Sequence, residues 1–374
     1  TNILLGNDAV NAAFSYNRHL TNGRWLLGFL SDFSSHYQMP VVIGLISIVM
    51  IALTAGVTVE VLKISHPIGA VLSGILLVTY PSVACTFAYM YTADAYFIAL
   101  FMNAAAVWLA KKYRFGWLLS VLLIALACAV YQAYFCYSLS LFLFDCILAL
   151  FSQDSTKRII FRGLKYLSIL LAAMLLYNLA TVLLLQWNDA VLVTYRGMNT
   201  IGQLNLTERL AAVPTAWKGY ISSLLRWPYA VPLLRPLHFG VILLLAVANI
   251  FLIVRESLWK APGRLTLLVL GWLLTPLAMN FADVLAYEQI SHQLMTYTFA
   301  CFFVFAIKIA ELAAERMPPL PSWRAPALYG AALLCCMAVA WNNFCLSNVG
   351  YHALTLTYEN TYAMANRVVV SIED

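Results

Sequence analysis

Residues 40–62 read PVVIGLISIVMIALTAGVTVEVL and contain one charged side chain, Glu60. A helix of this length rises about 1.5 Å per residue and crosses the roughly 30 Å hydrocarbon core of a bilayer. Apolar runs of this kind recur along a chain that is 63% hydrophobic and 10% charged, against about 25% charged in soluble domains. They lack the alternation of a membrane β-barrel. The sequence therefore predicts an all-α, polytopic transmembrane helical bundle.

The apolar runs predict ten spans in all, and the polar stretches between them divide the chain into five successive regions. The spans are about 40–62, 67–88, 94–110, a tight hairpin over 117–151 that makes two, and 165–186, 237–254, 265–284, 293–313 and 325–345. The regions are a first extracytoplasmic loop with amphipathic helices broken at Gly23 (1–39), six spans (40–186), a long extracytoplasmic loop (187–236), four spans (237–345) and a polar extracytoplasmic tail (346–374). Because the chain starts on a polar stretch without Met, we expect one more span before Thr1.

Loop charge predicts the orientation of the bundle. One set of loops holds Lys63, Lys111, Lys112, Arg114, Lys157, Arg158, Arg162, Lys165, Arg255, Lys260, Arg264, Arg316 and Arg324. The short opposite links at 89–94, 131–134 and 283–292 hold no Lys or Arg, so the basic set is predicted to be cytoplasmic. The net charge of +6 then reflects orientation and does not indicate nucleic-acid binding.

Polar residues of unusual type interrupt the apolar runs on the predicted outer side, and nothing comparable is expected on the cytoplasmic side. Helix ends on one side of a bundle converge, so these residues are predicted to line a cavity open to the outside. The sequence has no Walker loop, GxGxxG or HExxH motif, which argues against a site fed by soluble nucleotides. An enzyme working outside would take its activated group from a lipid carrier.

Two acids and two arginines are the leading candidates for such chemistry. A hydroxyl acceptor needs a general base, for which Asp8 is the first choice and Asp94 the second. The alternative for Asp8 is a helix N-cap, since Asn-Asp before an apolar run is good capping chemistry. Arg24 and Arg196 are suited to a lipid phosphate, or else to anionic headgroups at the surface.

Further candidates lie at the other outer interruptions. Tyr131 and Gln132 mark the hairpin tip, where an interfacial aromatic beside a polar turn residue is the alternative interpretation. The remaining substrate-binding candidates are Tyr195, Glu288 and His292, the last either a second acid/base group or a polar residue at the start of a helix.

Other polar residues are predicted to be structural. Asp145 within its apolar run is expected to be structural, either paired with a neighbouring helix or reaching the interface, and Glu60 is expected to pair with Lys63. The eight cysteines form no CxxC pair and are predicted to pack as small hydrophobes. No metal site is predicted.

Three short motifs carry a family resemblance. They are Asn22-Gly-Arg-Trp25 after an acidic first segment, Tyr91-Thr-Ala-Asp94-Ala-Tyr96 at the start of a span, and Tyr131-Gln132-Ala-Tyr134 at a hairpin tip. In this layout, over roughly residues 1–345, the chain resembles the glucosyl transferase II-type integral-membrane enzymes of serotype-converting phages. These are similar in plan to the lipid-dependent GT-C glycosyltransferases.

The resemblance implies a GT-C-like enzyme of the bacterial inner membrane that faces the periplasm. It would move a sugar, typically glucose, from polyprenyl phosphate to a cell-surface glycan such as O-antigen, with inversion. It implies membrane lipid as surroundings, and a polyprenyl-phosphate glucose synthase and a flippase as functional partners. Asp8 matches the first-loop acid, Arg24 the Arg of the motif, and Tyr131-Gln132 the YQ pair. Asn7 stands where a second acid would complete a metal site, so a divalent cation is left open.

Two alternative functions remain at this point. An O-antigen polymerase or ligase would rely on arginines of the long loop, such as Arg196, Arg209 and Arg226. A lipid-linked sugar flippase or transporter would need ionisable residues deep in the spans and an internal repeat, whereas Asp145 alone lies well inside an apolar run and no repeat is visible.

Overall fold

A computed structural model describes residues 18–32, 39–192, 206–285, 292–318 and 323–373. Within these ranges the chain is helical, without strands. The α-helices are α1 (Arg18–Thr21), α2 (Trp25–Asp32), α3 (Pro40–Leu62), α4 (Pro67–Thr79), α5 (Pro81–Phe87), α6 (Ala93–Lys112), α7 (Gly116–Val130), α8 (Phe135–Leu150), α9 (Thr156–Trp187), α10 (Leu206–Leu225), α11 (Arg235–Arg255), α12 (Pro262–Met279), α13 (Phe281–Leu285), α14 (Ala300–Arg316) and α15 (Arg324–Glu373). Short 3-10 helices are Met90–Thr92, Gln132–Tyr134, Pro232–Leu234, Leu258–Lys260 and Gln293–Phe299. The predicted all-α bundle is confirmed.

Eight helices of the described part are long and apolar enough to cross a membrane, and α4 with α5 makes a ninth, bent by 44°. The tenth predicted span is the first arm of the hairpin, α7, which has 15 residues. At 1.5 Å per residue α7 is about 22 Å long, shorter than the hydrocarbon core. The helices therefore follow the predicted positions, but one of the ten falls short of a full crossing.

Proline sets several helix boundaries. Pro40, Pro67 and Pro262 stand at the first turn of α3, α4 and α12, where the missing N–H is not needed. Pro81 has the same role in α5 and holds the preceding Tyr80 in an extended conformation with ψ 134°. Because an extended residue cannot continue a helix, the second span breaks and bends at this point.

The helices differ in how much of their apolar surface is covered by protein. In α14, with the 3-10 turn before it, 89% of the apolar stretch is buried, and in α8 with its own 3-10 turn 78% is buried. In α9 only 28% is buried. Helices that are apolar all round suit a membrane protein's interior, so α8 and α14 form the centre while α9 faces lipid.

The two ends of the bundle differ in character, and we name them for reference. The basic end is the end at Lys63, Lys111, Arg162, Arg264 and Arg316. The aromatic end is the end at Gly23, Asp94, Tyr131, Tyr177 and His292. Under the predicted orientation, the basic end would be cytoplasmic.

Three local expectations meet a different structure. α15 runs for 50 residues, so the expected last span and the polar tail are one helix. The predicted long loop 187–236 contains the 20-residue helix α10. Glu60 pairs with Lys112 at 3.2 Å, so its predicted pairing with Lys63 is wrong. Residue 63 ends α3 in a left-handed conformation with φ 56°, where it caps the helix.

Candidate functional site at the aromatic end

A turn at Gly23 organises the aromatic end. Gly23 has φ 68°, a left-handed conformation that only glycine adopts without strain. Its N–H donates to the carbonyl of Leu20 at 2.9 Å, and the N–H of Arg24 donates to His19 at 2.8 Å. These bonds close the end of α1 in the manner of a glycine C-cap. The chain reverses here and α2 begins at Trp25, so Arg24 lies at the corner.

Side chains of the hairpin tip and of α9 form hydrogen bonds with this turn. The amide nitrogen of Gln132 donates to the carbonyls of Asn22 and Gly23 at 3.2 and 3.3 Å, and it lies 2.9 Å from the Tyr177 hydroxyl. The Tyr177 hydroxyl donates to the same Gly23 carbonyl at 3.0 Å. Gln132 therefore joins segments more than 100 residues apart and fixes the position of the turn.

A second bond ties α2 to the same face of α9. The indole N–H of Trp25 donates to the Thr181 hydroxyl at 3.2 Å, and that hydroxyl donates to the Tyr177 carbonyl at 2.8 Å. Since Tyr177 and Thr181 are four residues apart, they lie on one face of the helix. Tyr177 thus holds the turn, and Thr181, one helical turn further along α9, holds the first residue of α2.

The guanidinium of Arg24 lies over the ring of Tyr131, 4.8 Å from its centroid. The Tyr131 ring is 4.9 Å from Tyr96 and 5.0 Å from Tyr134, centroid to centroid. Tyr131 is only 4% exposed, and a cation over a desolvated ring is held more strongly than one at an open surface. Arg24 is therefore a cation fixed against an aromatic wall contributed by α6 and the hairpin tip.

The aromatic wall continues into the bundle. Tyr134 lies 6.4 Å from Tyr297, whose hydroxyl donates to the Leu77 carbonyl at 3.0 Å. Tyr297 also contacts Tyr80, at the break of the second span, at 6.3 Å. The wall thus joins the 3-10 turn before α14 to the bent pair α4 and α5. These ring contacts pack beneath the site.

Asp94 lies in the first turn of α6, two residues before Tyr96. It is 1% exposed, and its Oδ1 accepts from the N–H of Ala95 at 2.9 Å. A carboxylate in the first turn of a helix is stabilised by the helix dipole. α2 packs against α6, which brings Arg24 and Asp94 to the same region. These contacts give Asp94 a structural role at the start of α6, and its assignment as second-choice base stays a prediction.

His292 caps the 3-10 helix Gln293–Phe299. Its Nδ1 accepts from the N–H of Leu294 at 3.2 Å, and its ring meets Tyr89 edge to face at 6.3 Å. The described contacts favour the interpretation of His292 as a polar residue at a helix start.

The remaining predicted site residues Asp8, Tyr195, Arg196 and Glu288 lie outside the described residues. Of the described ones, Arg24, Tyr131 and Gln132 come together and Asp94 lies near them. Sequence reasoning missed Tyr177 and Thr181, and it quoted Tyr96 within a motif without assigning it a role. The four-residue spacing of Tyr177 and Thr181 in the mostly apolar second half of α9 was a signal for a polar face. Among the described residues, no group of three or more His, Cys, Asp and Glu side chains is placed to hold a metal ion.

The basic end corrects one expectation and confirms another. Asp145, 6% exposed, pairs with Lys111 at 2.6 Å and accepts from the Tyr166 hydroxyl at 2.8 Å. Of its two predicted structural roles, pairing with a neighbouring helix is confirmed. The expectation that no polar cluster gathers at this end is wrong, because the ends of α3, α6 and α9 converge around Asp145. Basic residues that are far apart in the sequence meet there. Sequence analysis had used them only to predict the orientation of the bundle.

Comparison with known proteins gives one match. A family model described as "Glucosyl transferase GtrII" matches residues 1–306, which include the Gly23 turn, the aromatic wall and the Asp145 cluster. No curated protein and no solved structure gives a significant match.

Proposed function

This chain belongs to the glucosyl transferase GtrII family, and we propose that it transfers glucose from polyprenyl phosphate to a cell-surface glycan such as O-antigen. The family supports a membrane-embedded glucosyltransferase. The donor, the acceptor and the stereochemistry are parts of the proposal. They are supported by the composition of the aromatic end and by the apolar helices, long enough to cross a membrane, that surround it.

The observation that carries the proposal is Arg24 held over Tyr131 by the Gln132–Gly23–Tyr177 network. A planar guanidinium offers several N–H donors to phosphate oxygens, and stacking reduces the side-chain entropy that binding would otherwise cost. The tyrosine rings beside it are buried, with Tyr131 4% and Tyr134 0% exposed, so they support the guanidinium from the protein side. A cation held in this way suits the phosphate of a lipid-linked sugar donor.

The proposed reaction is a single displacement. The acceptor hydroxyl oxygen attacks the anomeric carbon, the bond from that carbon to the phosphate oxygen breaks, and polyprenyl phosphate leaves with the bonding pair. A carboxylate takes the hydroxyl proton, with Asp8 as first candidate and Asp94 as second. Arg24 would stabilise the charge on the leaving phosphate, which grows in the transition state. Attack opposite the leaving group inverts the anomeric carbon.

The location of this chemistry is also proposed. The positive-inside rule assigns the basic end to the cytoplasm, so the aromatic end would face the periplasm of a bacterial inner membrane. There the donor would come from a polyprenyl-phosphate glucose synthase through a flippase. Single cysteines placed at Trp187 and at Lys260, in a variant without the eight native cysteines, test this. The proposal expects a membrane-impermeant thiol reagent to label residue 187 in intact cells and residue 260 only after lysis.

Purified protein supplied with polyprenyl-phosphate glucose and an oligosaccharide acceptor tests the reaction. The expected result is glucosylated acceptor with release of polyprenyl phosphate in equal amount. If the protein does not use polyprenyl-phosphate glucose but releases polyprenyl diphosphate from a diphosphate-linked donor, the result would favour a polymerase or ligase. Movement of the lipid-linked sugar across the bilayer without chemistry would favour a flippase.

Separate Asp8→Asn and Asp94→Asn variants test the assignment of the base. Losing a general base costs on the order of 10² to 10⁴ in rate. The proposal expects that loss for Asp8→Asn and a smaller one for Asp94→Asn. The reverse order would move the base to Asp94, and two unimpaired variants would contradict both assignments.

A further inference from the structure

We propose that the cavity at the basic end binds the phosphate headgroup of an anionic phospholipid from the adjoining leaflet. The cavity measures about 610 Å³, within the usual size of small-ligand sites. The cations in its lining are Lys63, Lys111, Lys112, Arg158, Arg162 and Lys165, and the acids are Glu60 and Asp145.

The charges of this cavity do not balance. Six cations line it against two carboxylates. Asp154 adds one more from outside, bonded to Arg158 at 3.0 Å and to Arg162 at 2.9 Å. The two guanidinium groups hold the pKa of the Asp154 carboxyl below its ordinary value, so this acid is charged at neutral pH. Six positive charges against three negative ones leave an excess of three.

Two of the cations have a clear structural task. Lys111 donates to the Val61 carbonyl at the end of α3 and pairs with Asp145. Lys165 donates to the Ala110 carbonyl near the end of α6 at 2.9 Å. The last carbonyls of a helix lack partners within it, and cations there are favourable. Helix capping therefore explains why these two ammonium groups converge, and Lys165 keeps two N–H donors for a ligand.

Helix capping does not explain Lys63 and Arg158. No ion pair or hydrogen bond of the Lys63 ammonium is found among the described residues, although this side chain lines the cavity. Arg158 is 71% exposed and uses one nitrogen on Asp154, which leaves most of its five donors available. These two side chains add like charge to a cavity that already has an excess of it, and a bound anion would relieve the repulsion.

The cavity opens toward lipid, which identifies the source of the anion. α9 has 32 residues, about 48 Å at 1.5 Å per residue, so it extends beyond the roughly 30 Å hydrocarbon core. Phe161 lines the cavity and is 68% exposed, and Leu164 on the same helix is 55% exposed. An acyl chain can lie along these side chains while its phosphate occupies the cavity. Basic pockets between membrane helices are recognised headgroup sites.

The test uses the full-length purified protein in neutral detergent, titrated with phosphatidylglycerol, phosphatidylcholine or inorganic phosphate, with thermal unfolding as readout. The variant is Lys63→Gln with Arg158→Gln. The matched control is Lys260→Gln, at the same end of the bundle but outside the cavity, where the ammonium lies over Trp259 at 5.0 Å. Each cation near a lipid surface contributes about fivefold to affinity, so the double variant should bind phosphatidylglycerol about 30-fold more weakly.

The proposal expects phosphatidylglycerol to raise the unfolding midpoint of the parent and of Lys260→Gln at concentrations where phosphatidylcholine does not. Equal shifts in the double variant would overturn the assignment of the cavity. No shift in the parent would overturn binding itself. Inorganic phosphate that matches and competes with the lipid would show a free-anion site instead. If the double variant does not fold, Lys63→Gln alone is used, since no bond to its ammonium is lost, and about a fivefold loss is expected.

Discussion

The aromatic end and the basic end of this bundle are held together by different kinds of contact. At the aromatic end, side chains of Gln132, Tyr177 and Trp25 reach across to a turn and to a hydroxyl, and rings support one guanidinium. At the basic end, carboxylates and cations pair across helix ends around Asp145. At the aromatic end, neutral side chains hold this cation in position. At the basic end, ion pairs join the helices, and the cations outnumber the acids. Substitutions at the basic end should therefore affect mainly stability, while those at the aromatic end should affect reaction rate and cause smaller losses of stability.

The largest effect on stability is expected for Asp145→Asn at the basic end. The change leaves the Lys111 ammonium, 16% exposed, without its carboxylate, and breaking a buried pair on one side costs about 3 kcal/mol or more. Reversible unfolding in detergent measures the loss. The control is Asp154→Asn, whose side chain is 24% exposed and where less than about 1 kcal/mol is expected. Equal losses would contradict the central position of Asp145.

The next effect is on rate, at the aromatic end. Arg24→Lys keeps the charge but loses the planar group over Tyr131 and its paired donors. We expect kcat to fall by about 100-fold, the size seen when one transition-state donor is removed, with little change in unfolding. The control is Arg226→Lys, at an exposed position of the same end of the bundle. If kcat falls in Arg226→Lys and not in Arg24→Lys, the result would favour the polymerase or ligase alternative.

Gly23→Ala should have a smaller effect, on the geometry of the turn. A side chain at φ 68° costs about 1 to 2 kcal/mol in the left-handed region. We expect this loss of stability together with a fall in rate, because Arg24 follows the turn. Gly330→Ala in α15 is the control, since an added Cβ meets nothing within 4 Å. There alanine should stabilise the helix by up to about 1 kcal/mol.

The smallest effect is expected for Tyr177→Phe. It removes the bond to the Gly23 carbonyl and the bond that the hydroxyl accepts from Gln132. Since Gln132 still donates to the carbonyls of Asn22 and Gly23, about 1 kcal/mol should be lost. Thr357→Val, at an exposed bond within α15, is the matched hydroxyl control and should change stability by less. If Tyr177→Phe loses no more stability and no more rate than this control, α9 does not hold the turn.

The sequence predicted features that depend on neighbouring residues. Apolar runs predicted the positions of the spans, Gly23 predicted a break, and the polar pair at 131–132 predicted the hairpin tip. Asp145 was predicted to be structural because a carboxylate in an apolar run pairs with a neighbouring helix or reaches the interface. Each of these inferences uses composition over a single helix or turn, where physical chemistry leaves few alternatives.

The contacts between distant segments could not be predicted in the same way. Nothing in one sequence indicates that Tyr177 meets Gly23, since the two are 154 residues apart. Glu60 was assigned to Lys63 by proximity in sequence, but its carboxylate pairs with Lys112, which lies 52 residues away on α6, while Lys63 ends α3. The last span was expected to end near residue 345, where the sequence becomes polar. The helix α15 continues beyond it because helical backbone hydrogen bonds do not require apolar side chains.

The Asp145 pair also bears on the order in which the chain enters the membrane. A lone carboxylate within an inserted helix is unfavourable by up to about 3 kcal/mol, and α8 brings Asp145 into the bilayer. Lys111 belongs to an earlier helix and is synthesised before it, whereas Tyr166 follows 21 residues after Asp145. The order of synthesis therefore supplies the cation before the acid and the Tyr166 hydroxyl after it. Since α6 packs against α8, we expect α6 to receive α8 in the membrane before α9 follows.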